Sequence, residues 1–180
     1  MTATIFLMVM LGLVLIFAIS AIWAGFRAAP YVPTKTADVR RLLSLAEVKP
    51  GERVVDLGAG DGRIVIMAAK EFKAEAIGYE ISLLPYLIAK LRISWLGSKV
   101  LVRVSFKDFF TVDLNQADVV TCFLTPAAMN KLAGKLRREL KPGARIVSYA
   151  FHLPGWEPVI KDKPDDRNFA VWVYRVAEHQ

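Results

Sequence analysis

The chain has 180 residues, room for one domain and little more. Its apolar fraction of 54% is high for a soluble domain, and 24 Lys and Arg against 17 Asp and Glu leave a net charge of +7. A single cysteine excludes an internal disulfide, and no repeat or low-complexity tract points to a solenoid or a disordered chain.

The apolar excess is local. Met1 to Phe26 contains no charged residue. As a helix, residues 4–26 would rise roughly 34 Å, enough for a hydrocarbon core of about 30 Å. No Lys or Arg precedes the run, as one would in a signal peptide. The sequence therefore predicts a transmembrane anchor over 1–27, entering the lipid bilayer through residues 4–26. Arg27, Lys35, Arg40 and Arg41 follow it, so the positive-inside rule puts the remainder on the cytoplasmic side of a single-pass membrane protein.

Residues 28–35, with Pro30 and Pro33, read as a short stiff linker ahead of a domain over 36–180. A helix is expected from Thr36 as its cap, then a strand over Arg53–Leu57. Gly58, Gly60 and Gly62 follow at alternate positions, and a helix opens after them and runs to about Phe72. Strands are expected at 74–79, 100–106, 117–124 and 144–151. Helices are expected at 85–95 and from the Thr125-Pro126 start to about Leu140. Two further strands, 156–160 and 168–176, flank a polar loop at 161–167. Alternating strands and helices predict an α/β fold with a doubly wound, mainly parallel sheet, and the last two strands must pair as an antiparallel hairpin.

The segment Val54-Val55-Asp56-Leu57-Gly58-Ala59-Gly60-Asp61-Gly62-Arg63 carries the most information. Its glycines let backbone approach a ligand where open α/β sheets bind one, at strand carboxyl ends. No Lys-Ser/Thr follows the last glycine, which argues against a phosphate loop, and the third glycine comes one residue early for a dinucleotide fingerprint. Asp56 and Asp61 suit a ligand with a cationic head. Glu80, 24 residues past Asp56, can accept from ribose hydroxyls. The stretch resembles motif I of class I S-adenosylmethionine (SAM) methyltransferases, a Rossmann-like fold, which makes SAM the expected cofactor. It implies binding by Asp56, Gly58, Gly60, Asp61, Gly62 and Glu80, with Asp108 accepting from the adenine amine. No metal-ligand cluster is apparent.

Further blocks follow in order: Tyr31-Val32-Pro33-Thr34, Gly78-Tyr79-Glu80, Lys107-Asp108-Phe109-Phe110, Phe123-Leu124-Thr125-Pro126 and Val171-Trp172-Val173-Tyr174. Together they resemble the membrane-anchored protein-lysine methyltransferases of the ATP synthase c subunit and the adenine nucleotide translocase. The resemblance implies methylation of a lysine in a membrane or membrane-adjacent protein. It also implies a lysine channel at Phe123, Leu124, Thr125 and Pro126, covered by Tyr31. The alternatives are a membrane-associated lipid or quinone methyltransferase and a non-catalytic SAM-binding membrane scaffold. A nucleic-acid acceptor is not expected, since an anchor serves no purpose there. Cys122 and His152 read as structural. The basic run Lys131, Lys135, Arg137, Arg138, Lys141, Arg145 reads as a solvated helix face.

Overall fold

The computed structural model describes residues 2–97 and 100–177. Helix α1 (Thr2–Arg27) leads into the linker, and α2 (Thr36–Leu45) begins the α/β domain. Then come β1 (Arg53–Leu57), α3 (Arg63–Glu71), β2 (Glu75–Glu80), α4 (Leu83–Ser94), β3 (Val102–Phe106), β4 (Val119–Cys122), α5 (Pro126–Glu139), β5 (Arg145–Tyr149), β6 (Ile160–Asp162) and β7 (Val171–Arg175). The seven strands form one sheet in the order β3-β2-β1-β4-β5-β7-β6. The first five run parallel, and β7 pairs antiparallel with both β5 and β6.

The strands of the middle are apolar on both sides because helices cover both faces. Val54, Ala76, Val119 and Val147 pack under α2 and α3. Val104 and Ala59 meet Ala89 of α4 on that same face. Val55, Val120 and Ile146 alternate to the other face, against Met129, Leu132 and Leu136 of α5 and Phe109.

The expected alternation and the antiparallel ending are present, with two local corrections. The sixth strand begins at Ile160, not at Trp156. Residues 156–159 form a loop in which Trp156 stacks edge-on against Tyr174, and Lys161 and Asp162 belong to the strand. Thr36 is the first helical residue; the cap position is Lys35, whose side chain makes no capping bond. The Thr125 start is as expected: its hydroxyl accepts from Ala128 N, with Pro126 in the first turn.

The basic run is not a free cationic face. Lys135 is buried on Val112 O and Glu139, Arg145 is buried on Ala46 O, Glu47 O and Glu52, Lys141 pairs with Asp118, and Arg137 donates to Gly155 O over the Trp156 ring. Cys122 is buried, and burial pushes its thiol up to about 12, so it stays protonated and inert at neutral pH.

Candidate functional site

The parallel strands end on one edge, and a cleft opens there between two walls. The first wall is the turn from β1 into α3. Gly58, Gly60 and Gly62 all have positive φ, which lets the chain reverse within five residues. At Gly60 the space is also needed, since a Cβ would lie 2.8 Å from Cε2 of Tyr31. The turn is tied to the end of β2. Gly58 N and Ala59 N both donate to Tyr79 O at 2.9 Å, and Gly60 N donates to Glu80 Oε2 at 2.7 Å. Gly78 lets the two segments close, because a Cβ there would stand 2.5 Å from that of Ala59.

Glu80 is buried and heavily used. Its Oε1 accepts from Ile81 N at 2.8 Å and Ser82 N at 2.6 Å. A carboxylate offers about four acceptor sites. Three go to backbone, which leaves room for one ligand hydroxyl rather than the two expected for a ribose. Asp56 is also buried in the cleft wall, and Thr121 Oγ1 donates to its Oδ1 at 2.7 Å. Burial pushes the Asp56 carboxyl up to about 7; the Thr121 bond opposes this, while the charges of Glu80 and Asp61 add to it.

Asp61 differs from the expectation of an unpaired acid facing a cation. Its Oδ2 lies 2.6 Å from Arg63 Nη2 and 2.5 Å from Arg92 Nη1. Burial works to raise its carboxyl, but Arg63, Tyr31 and Arg92 outweigh it and hold Asp61 below the usual range. Arg63 also donates to Thr34 O, so Asp61 and Arg63 together fasten the linker to the glycine turn.

The second wall is Ala24, Ala28 and the linker through Thr34. Tyr31 lies over Gly60, and burial together with the Asp61 charge raises its phenol above the ordinary value. Phe123 and Leu124 beyond β4, with Phe109 beyond β3, close the floor. Phe123 belongs to an aromatic group, 5.0 Å edge-on from Tyr149 and 6.4 Å from Phe169.

The cleft thus gathers Tyr31, Asp56, Gly58, Gly60, Asp61, Glu80, Phe123 and Leu124. Four expected residues stand outside its lining. Gly62 is the cap of α3, and a Cβ there would press on Ala89. Thr125 caps α5 and donates to Ala28 O at 2.7 Å, and Pro126 is the first residue of α5. Asp108 faces a neighbouring crevice between α1 and the end of β3; its Oδ2 is 2.7 Å from Arg27 Nε, and its Oδ1 accepts from Phe110 N. His152 is exposed near Trp172. Thr121, Arg92 and Ser82 were not expected. Thr121 alone had a signal, as a polar residue in an apolar strand. Among the described residues there is no group of three or more His, Cys, Asp and Glu that could hold a metal.

Comparison with known proteins gives this geometry a family. The profile of the ANTKMT methyltransferase domain matches residues 56–160. A protein-lysine N-methyltransferase of Saccharolobus islandicus is 42% identical over 154 residues, covering 84% of this chain and 96% of the relative. The Mus musculus adenine nucleotide translocase lysine N-methyltransferase is 39% identical over 173 residues, 88% of this chain and 73% of that one. The crystal structure of an RNA methyltransferase from Salinibacter ruber with S-adenosyl-L-homocysteine superposes with a TM-score of 0.77 at 35% identity, covering 83% of this chain and 96% of that one. The chain belongs to the ANTKMT methyltransferase domain family and is a SAM-dependent methyltransferase.

Proposed function

We propose that the protein methylates a lysine ε-amine on a membrane or membrane-adjacent protein, on the cytoplasmic face of the membrane that α1 anchors it to. The observation that carries this reading is the 42% identity, across 84% of the chain, to a relative named as a protein-lysine N-methyltransferase. For the membrane, the support is α1 itself. Its mean hydropathy reaches 3.0, and Ile5, Phe6, Leu7 and Met8 all face outward.

SAM supplies an electrophilic methyl group. The residues present fit it: a glycine turn that a Cβ would fill, and beside it a buried carboxyl, Asp56, for which a cation is the natural counterpart. Glu80 accepts one ribose hydroxyl. Asp61, already paired, shapes the turn rather than neutralising the ligand. We assign Asp108 to holding the foot of α1 through Arg27, since it faces the neighbouring crevice and lies outside the cleft lining. Phe123 and Leu124 border the acceptor side, with Tyr31 above them. Thr125 and Pro126 support that border through the start of α5. A free lysine has a pKa of about 10.4 and attacks only when neutral. The apolar border made by Phe123 and Leu124 favours the neutral amine by desolvation. Holding it in line with the methyl is then the main contribution to rate.

The test is transfer of radiolabelled methyl to membranes and to RNA from a deletion strain. Label is expected in a protein band, as methyl-lysine after hydrolysis. Label in the organic extract would replace the acceptor with a lipid, and label in the RNA would extend to this chain what the name of the Salinibacter ruber protein says of that protein.

A further inference from the structure

Helix α1 is not free of the domain up to its charged end. Ser20, inside the uncharged run, accepts from Leu83 N at 2.8 Å and donates to Ile81 O at 3.4 Å, at the start of α4. The contact continues along a crevice where Ile16, Ile19 and Trp23 face Ile81, Phe106 and Lys107. Residues 16–26 of the uncharged run therefore stand level with the domain. A bilayer enclosing that run meets the edge of the domain made by α4 and the end of β3.

That edge is apolar where it faces outward. Leu84, Leu87, Leu91 and Trp95 recur at spacings of three and four, on one stripe of the helix. They are between 45% and 82% exposed, while Pro85 and Ala89 on the other side are buried. Phe106, stacked on Tyr86, extends the patch. Lys90 flanks the stripe on one side and Lys107 lies beyond Phe106, while Arg92 on the other side is turned inward onto Asp61. Cations bordering an apolar stripe suit a helix lying in a lipid interface, stems among the acyl chains and charges at the headgroups.

We propose that the exposed face of α4, with Phe106, is a second membrane contact, seated in the headgroup–acyl boundary of an anionic bilayer. This rests on the reading of α1 as a membrane span. Continuity with α1 favours lipid over a protein partner, because the stripe begins where Ser20 joins the two helices. The charge bordering it, within a chain of net +7, favours an anionic surface.

Depth measurement tests it on the full chain in phosphatidylcholine–phosphatidylglycerol vesicles. Nitroxide labels go onto L11C, L87C, L91C and K163C in separate variants; Cys122 is buried. Collision with oxygen and with a water-soluble nickel chelate gives each depth. Leu11 is expected in the hydrocarbon, Lys163 in water, and Leu87 and Leu91 about 5–10 Å below the headgroup surface. A lipid-buried position 11 with aqueous 87 and 91 overturns the proposal and leaves the span intact. An aqueous position 11 removes the span reading and the proposal together.

Discussion

The two walls of the cleft are held by different kinds of bond. The glycine turn is tied to β2 through backbone: Gly58 and Ala59 to Tyr79 O, Gly60 to the buried Glu80. The opposite wall, from Ala24 to Thr34, is held mostly by side chains at intervals: Arg63 on Thr34 O, Thr125 on Ala28 O through both its hydroxyl and its amide, and Arg27 on Asp108. The first wall opens only if the sheet edge comes apart. In the second, Ala24 and Ala28 are packed into the core, and only residues 30–34 are free to lift once Arg63 releases Thr34 O. On the proposed reading, a fixed glycine turn facing a strap suits an enzyme that must admit SAM and discharge its product at every turnover.

Four substitutions sharpen or break this contrast. The largest effect is expected from Glu80→Ala, which leaves two buried and one half-buried N–H donors without a partner, at about 1–3 kcal/mol for each buried one. Calorimetry on the full chain should show SAM affinity falling at least about 100-fold. An unchanged affinity would mean that the glycine turn does not depend on β2. Asp56→Asn comes next, with a loss of roughly 10- to 100-fold, the range for hydrogen bonds to a charged group.

Asp56 also sets a pH dependence. Its folded value of about 7 lies above the ordinary 3.8, so the folded protein holds this proton where the unfolded chain has lost it. Stability of the free protein should therefore fall as pH rises from about 4 to about 7. Binding of a cation to the carboxylate should release the proton and tighten with rising pH over the upper part of that window. Calorimetry in buffers of different ionisation enthalpy reads the proton directly, and the Asn variant should abolish both the release and the slope.

On the strap, Arg63→Ala should raise the KM for SAM by at least about tenfold, since it removes the bond to Thr34 O together with two to the buried Asp61. It should also speed proteolysis across 28–35 without unfolding the domain. Equal protease resistance in the two proteins would show that the linker is held by something other than Arg63. The smallest effect belongs to Asp108→Asn. The Arg27 pair is partly solvated, so about 1 kcal/mol or less is at stake, and SAM affinity should stay within about threefold. A tenfold loss would put Asp108 back among the adenine contacts.

The same division separates what the sequence made legible from what it did not. The bounds of β1, the glycine turn, Glu80 after it and the Thr125-Pro126 helix start are local patterns of residue type and spacing. The strap is not local. Arg63 reaches Thr34 O across 29 positions and Arg27 reaches Asp108 across 81, and no spacing rule announces such a pair, nor that of Arg92 with Asp61 in the glycine turn, 31 positions apart. So Asp61 looked like an unpaired acid and Asp108 like a ligand contact. The docking of α1 was hidden for the same reason. A serine within an apolar helix gives no sign of whether it faces lipid or, as Ser20 does, a backbone carbonyl and amide.

On the membrane reading, the bonds of Ser20 act as a height stop. With α1 fastened to the start of α4, the distance from bilayer to cleft becomes a fixed dimension of the molecule. Such an enzyme selects a lysine by its elevation above the lipid as much as by the residues around it. Raising an acceptor lysine two helical turns, about 11 Å, should abolish its methylation even with the flanking sequence carried along. Ser20→Ala and the insertion of flexible residues between Arg27 and Tyr31 should together restore it. Methylation of the raised lysine by the unaltered enzyme would show that the tether has slack.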